Sequence, residues 1–118
     1  MKQLLLLLFF GFSIQSYAQS DTLSAVQAKD LVGKTVIVKD IIAGARLFER
    51  TDKTTFLINL NQPYPQTPLT IVLYDATYRA LNPKEGLENR EIIVTGVISI
   101  FNDKPQIVIE DIKNIKIK

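Results

Sequence analysis

Apolar and polar positions alternate with a period of two through most of the second half of the chain. In Thr55-Phe56-Leu57-Ile58-Asn59-Leu60, residues Phe56, Ile58 and Leu60 share one face, and Thr55, Leu57 and Asn59 the other. One strongly apolar face marks a half-buried strand. Leu69 to Tyr74 is a second such run, Glu91 to Phe101 a third and Pro105 to Ile112 a fourth. In the third, Ile92, Val94, Gly96, Ile98 and Ile100 alternate with Ile93, Thr95, Val97, Ser99 and Phe101. An earlier run, Thr35 to Phe48, is β-branched and apolar and is interrupted by Ala43-Gly44-Ala45. Glycine inside a strand pattern signals a bend or bulge. The run therefore reads as one long bent strand, with a loop at Gly44 as the alternative.

The segments between these runs are polar or proline-punctuated. Glu49 to Lys53 turns the chain into the next strand. Asn61 to Pro68 holds Pro63, Pro65 and Pro68, which excludes a central strand. In the helix-like segment Asp75 to Leu81, Asp75 is placed to cap a helix beginning at Ala76, which Asn82-Pro83 ends. Asn102-Asp103-Lys104 reads as a hairpin connection, and Pro105 is tolerated at a strand's first position. At the C-terminus, Ile112, Ile115 and Ile117 stand among Lys113, Lys116 and Lys118. That is a strand with one apolar side, whose lysines protect an exposed edge.

Near the start, Ser24 precedes Ala25 to Val32, with Gln27 three residues on and Gly33 after the run. This is a capping-box spacing with a glycine stop, and it predicts a short helix over one end of the fold. Before it, Lys2 leads an apolar run from Leu4 to Phe12, followed by Ser16 and Ala18. The apolar run is too short for the roughly 20 residues that span a bilayer. It reads as an export signal over 1–18, cleaved between Ala18 and Gln19; an uncleaved anchor is the alternative. The expected location is periplasmic or secreted, with no membrane span after cleavage.

The element order is strand, strand, strand, helix, strand, strand, with a short helix in front. It predicts an all-β, five-stranded Greek-key barrel, the OB-fold, as a single domain over 19–118. About 100 residues suit one domain, and 47% hydrophobic content opposes disorder. With no Cys, no disulfide and no lipid-bearing Cys is available, so the core alone must hold the fold. Fourteen basic and 12 acidic residues give a net charge of +2, which falls by one when Lys2 leaves. That balance is too even for binding to nucleic acid by overall charge. Such binding requires a local patch.

Thr55-Phe56-x-x-Asn59-Leu60, then Pro63-Tyr64-Pro65 and Leu69 to Tyr74, resembles a family of small bacterial OB-fold domains, some exported alone and some joined to other modules. Val94 to Ile98 and Lys104 to Asp111 resemble the last hairpin of the same domains. The resemblance covers roughly 33–115. It implies an OB-fold and a nucleic-acid-binding role by analogy of fold. Tyr74 stands where many relatives carry Trp, which makes any stacking platform there smaller.

The side-chain inventory argues against catalysis. Without His or Cys the familiar triads and thiol nucleophiles cannot be built, and zinc lacks its usual ligands. Glu110 and Asp111 are neighbours and point to opposite faces of a strand. No enzyme activity, metal or cofactor is expected. A binding module is expected instead. OB-folds bind on the face of strands two and three, between the first and last hairpin loops. The residues predicted there are Arg46, Phe48, Arg50, Lys53, Tyr64, Tyr74 and Lys104: cations for phosphate and flat rings for bases. A bland reading stands beside this. Arg50 and Lys53 are then solvated turn residues offset by Glu49 and Asp52, and Phe48 and Tyr74 are core. The expected partner is single-stranded DNA or RNA, or another oligomeric anion. The alternative is an envelope protein, a glycan or a small ligand.

Overall fold

The computed structural model describes residues 21–118; the export signal read at 1–18 and its junction with Gln19 lie outside the described residues. Seven strands form one curled, mixed sheet: β1 (Thr35–Arg50), β2 (Lys53–Leu60), β3 (Leu69–Tyr74), β4 (Glu91–Val97), β5 (Ser99–Phe101), β6 (Lys104–Ile109) and β7 (Ile115–Ile117). Their spatial order is β5-β6-β3-β2-β1-β4-β7, a half-barrel. Two short helices, α1 (Ala25–Ala28) and α2 (Asp75–Leu81), and a 3₁₀ turn at Ile112–Asn114 complete the described chain.

The curl originates in β1. From Thr35 to Ile41 this strand pairs antiparallel with β4, and from Ile42 to Arg50 it pairs with β2. The register shifts between Ile42 and Gly44. The extra residue, Ala43, bends the strand and increases its twist, so one strand serves two partners. The long bent strand predicted from the pattern is present, and Gly44 lies within it rather than in a loop.

Alternation then fills the interior. Phe56, Ile58 and Leu60 of β2 meet Leu69, Ile71 and Leu73 of β3, Ile92 and Val94 of β4, and Ile107 and Ile109 of β6 in one buried cluster. Ala25 and Ala28 of α1 are fully buried against it. The helix begins with the expected capping box: Ser24 Oγ accepts from Gln27 N–H at 3.1 Å, and Gln27 Oε1 accepts from Ser24 N–H at 2.9 Å. On α2, Tyr78 and Leu81 cover the core, and the Tyr78 ring lies 5.1 Å from that of Phe56.

Seven strands replace the five expected, for two local reasons. The run from Glu91 to Phe101 is interrupted at Ile98. Its N–H donates to Lys34 O at 3.1 Å, and its carbonyl accepts from Gly33 N–H at 2.8 Å. The stretch ahead of β1 thus takes the backbone of Ile98 and divides the run into β4 and β5. The last run ends at Ile109, because the Asp111 carboxylate accepts from Lys113 N–H at 3.0 Å and caps the 3₁₀ turn. The chain extends again as β7, an edge strand on β4. Ile112 is therefore in a turn, not in a strand with Ile115 and Ile117. The Greek-key barrel is modified accordingly. β5 follows β4 after Ile98 alone, yet pairs with β6 at the far edge of the sheet, while β6 runs parallel to β3.

Two helix details also differ. α1 stops at Ala28 rather than Val32, since Val32 forms a bridge to Ile98. Asp75 is the first residue of α2 rather than its cap; its Oδ1 accepts from Thr54 N–H at 2.8 Å and ties the helix start to β2.

Candidate functional site

The outward face of β1, β2, β3 and β6 is organised by register. Asn59, Thr70 and Gln106 lie opposite one another in one row, Arg46, Leu57 and Val72 in the next, and Phe48, Thr55 and Tyr74 in the third. The β1–β2 hairpin closes with Arg50 opposite Lys53. These rows form the floor and one wall of a cleft of about 530 Å³, within the roughly 300–1,000 Å³ of ligand clefts. The β5–β6 hairpin supplies the other wall. Its tip is a two-residue turn in which Asn102 and Asp103 both adopt positive φ, 52° and 64°. A primed turn of this kind matches strand twist, and Asn and Asp tolerate it. Phe101 and Lys104 face each other across that turn.

Cations and rings are interleaved along the cleft. The Arg46 guanidinium carbon lies 5.0 Å from the Phe48 ring centre and 5.8 Å from that of Tyr64. The Lys53 ammonium is 4.6 Å from the centre of Tyr74. Both spacings are within cation–π range. The cleft is lined by Arg46, Arg50, Lys53 and Lys104, and by no Asp or Glu among the described residues. None of these four cations joins an ion pair among the described residues. In an almost neutral chain, this is a local concentration of positive charge.

The structure places all seven residues singled out from the sequence along this one cleft: Arg46, Phe48, Arg50, Lys53, Tyr64, Tyr74 and Lys104. Phe48 and Tyr74 are 41% and 38% exposed, so they are surface rings and not core. Lys104 opens β6 instead of lying in the hairpin loop. Sequence reasoning missed Phe101, the most exposed large apolar side chain of the described residues at 62%. Its place beside the hairpin tip was the available signal. It also missed the floor: Val72, 3% exposed yet outside the interior cluster, and the polar row Asn59, Thr70 and Gln106. Their outward alternation was visible, but their neighbours were not.

No protein-family model matches the chain, and no curated protein sequence matches it. Solved structures do. An OBody, AM1L10, bound to hen egg-white lysozyme is similar with a TM-score of 0.59 and 13% identity, over 87% of this chain and 98% of the other. RecG bound to a three-way DNA junction gives a TM-score of 0.54 at 14% identity, over 83% of this chain but 12% of RecG. A candidate nucleic acid-binding lipoprotein from Klebsiella pneumoniae gives 0.52 at 16% identity, over 86% and 93% of the two chains. At such identities the likeness is one of fold, and the fold is OB-like. No helix among the described residues is long and apolar enough to cross a membrane.

Proposed function

We propose that this protein is an exported, non-enzymatic binding module whose cleft holds single-stranded nucleic acid or another oligomeric anion. One observation carries the reading: four cations and no carboxylate line a cleft that also presents Phe48, Tyr64, Tyr74 and Phe101. Cations for phosphate and ring faces for bases are what a single strand requires. With β4 and β5 counted as one interrupted strand and β7 as an addition, the fold reads as a five-stranded Greek-key OB-fold, and the cleft lies on its usual binding face. Two similar structures bear on nucleic acid more broadly: RecG bound to a three-way DNA junction, and the Klebsiella protein as a candidate nucleic acid-binding lipoprotein. The leader at 1–18 supports export. Absence of His and Cys from the sequence supports a non-enzymatic role.

A second reading assigns the same face to an envelope protein or glycan. The OBody bound to lysozyme supports it, as do the exposed rings of Phe48, Tyr64 and Phe101 on that face. Amide and side-chain NMR of the mature domain, titrated with a short unstructured oligonucleotide, tests the primary reading. Shifts confined to the cleft rows and the two hairpins are expected. Shifts confined to β4 and β7, or none, would contradict it.

A further inference from the structure

The cleft carries an exposed ring beside a cation at each of its two ends. Phe101 closes β5 and faces Lys104 across the hairpin turn. Tyr74 closes β3, with the Lys53 ammonium 4.6 Å from its ring centre. Both rings line the cleft. Phe48, Tyr64 and Tyr74 each have a cation over the ring, whereas none stands over Phe101 among the described residues. A ring left so open, on the wall of a cationic cleft, offers its flat face to a base.

Register fixes how far apart the two rings stand. Lys104, opposite Phe101, comes two residues before Gln106, which pairs with Thr70; Tyr74 comes four residues after Thr70 on the parallel strand. That offset along the strands is about 20 Å, and the step from β5 across β6 to β3 adds about 10 Å sideways. One base cannot touch both rings. A stacked strand advances about 3.4 Å per nucleotide, and one splayed onto side chains roughly twice that. We infer that Phe101 is a second stacking platform, remote from Tyr74, and that a strand must be about four to seven nucleotides long to occupy both. The inference rests on the nucleic-acid reading of the cleft. A strand that reaches both platforms makes its second contact intramolecularly; a shorter one holds a single platform at a time.

The test is titration of oligo-dT strands of about two to ten nucleotides, at one low salt concentration, into wild type, Phe101→Ala, Phe101→Leu and Tyr74→Ala. Wild-type affinity should climb steeply up to about four to seven nucleotides and then level. With the longest strand, Phe101→Ala and Tyr74→Ala should each lose about five- to hundredfold, the worth of one stacked base. Phe101→Leu, which keeps apolar bulk without a flat face, should lose as much as Phe101→Ala. A dinucleotide can use either platform, so at least one of the two alanine variants should bind it within about twofold of wild type. Full affinity for the longest strand in either Phe101 variant overturns the inference and leaves the nucleic-acid reading intact. So does a dinucleotide loss in both alanine variants as large as that of the longest strand, which would put both rings on one base. Binding of no strand by wild type removes both readings. If Tyr74→Ala does not fold, the Phe101 variants and the wild-type length profile decide the matter; a profile that climbs evenly through ten nucleotides overturns the inference.

Discussion

Gly96 on β4 lies directly against the side chain of Ile107 on β6, so that a Cβ on Gly96 would overlap Ile107 Cγ2. Ile107 is fully buried, and its γ-methyl sits on a branched β-carbon with little rotational freedom. The contact therefore cannot relax by a simple side-chain swing. Gly96→Ala is expected to cost about 1–3 kcal/mol, the range for overpacked cores, and Gly96→Val more. Gly44 is the control, because a Cβ there meets nothing within 4 Å. Gly44→Ala should stay within about 0.5 kcal/mol of wild type. Denaturant midpoints of the variants measure both, and an unchanged midpoint for Gly96→Ala would show that the approach is relieved without cost.

Asp75 joins α2 to the start of β2 through its bond to Thr54 N–H, and the flanking residues Lys53 and Tyr74 belong to the cleft. Asp75→Ala should lower stability by about 1.5–3 kcal/mol, the range for a hydrogen bond to a charged group. It should also raise amide exchange at Lys53 to Thr55. A stability loss with unchanged exchange there would place the effect elsewhere in the helix.

The fold was legible where local pattern decides it. Period-two alternation marked the runs now seen in β2, β3, β4 and β6, and Ala43-Gly44-Ala45 marked the bend in β1. The division at Ile98 was not legible, because alternation continues unbroken through 97–101. What interrupts the strand is a pair of hydrogen bonds from Gly33 and to Lys34, more than sixty residues earlier in the chain. The cleft shows the same division. Alternation and turn position were enough to single out Arg46, Phe48, Arg50, Lys53 and Tyr74. Asn59, Thr70 and Gln106 become one polar row only through the register of three strands, and that register has no signature within any one of them.

Lys53 stands over Tyr74 at 4.6 Å, so the two act together on whatever occupies that end of the cleft. Tyr74→Ala should weaken binding of an unstructured oligonucleotide by about 1–3 kcal/mol, the worth of one stacked base. Tyr74→Phe should retain most of the affinity, because the ring face remains. A loss as large in Tyr74→Phe as in Tyr74→Ala would assign the effect to the hydroxyl instead.

Arg46 lies between Phe48 and Tyr64, which separates its planarity from its charge. Arg46→Lys keeps the charge but loses the flat, stacked guanidinium. Its salt dependence should match wild type while its affinity falls. Arg46→Gln should lower affinity and also flatten the salt dependence by about 0.7 in log–log slope, the contribution of one phosphate contact on a single strand. Fluorescence anisotropy across a salt series distinguishes the two outcomes.

The most direct test of a phosphate-binding cleft is the salt dependence of binding by the wild-type mature domain. An unstructured oligonucleotide is titrated at several salt concentrations, and the logarithm of the affinity is plotted against that of the salt. Engagement of Arg46, Arg50, Lys53 and Lys104 together should give a slope near about −3, since each phosphate contact on a single strand contributes roughly −0.7. Undetectable binding at the lowest salt, or binding indifferent to salt, would contradict a phosphate-binding cleft.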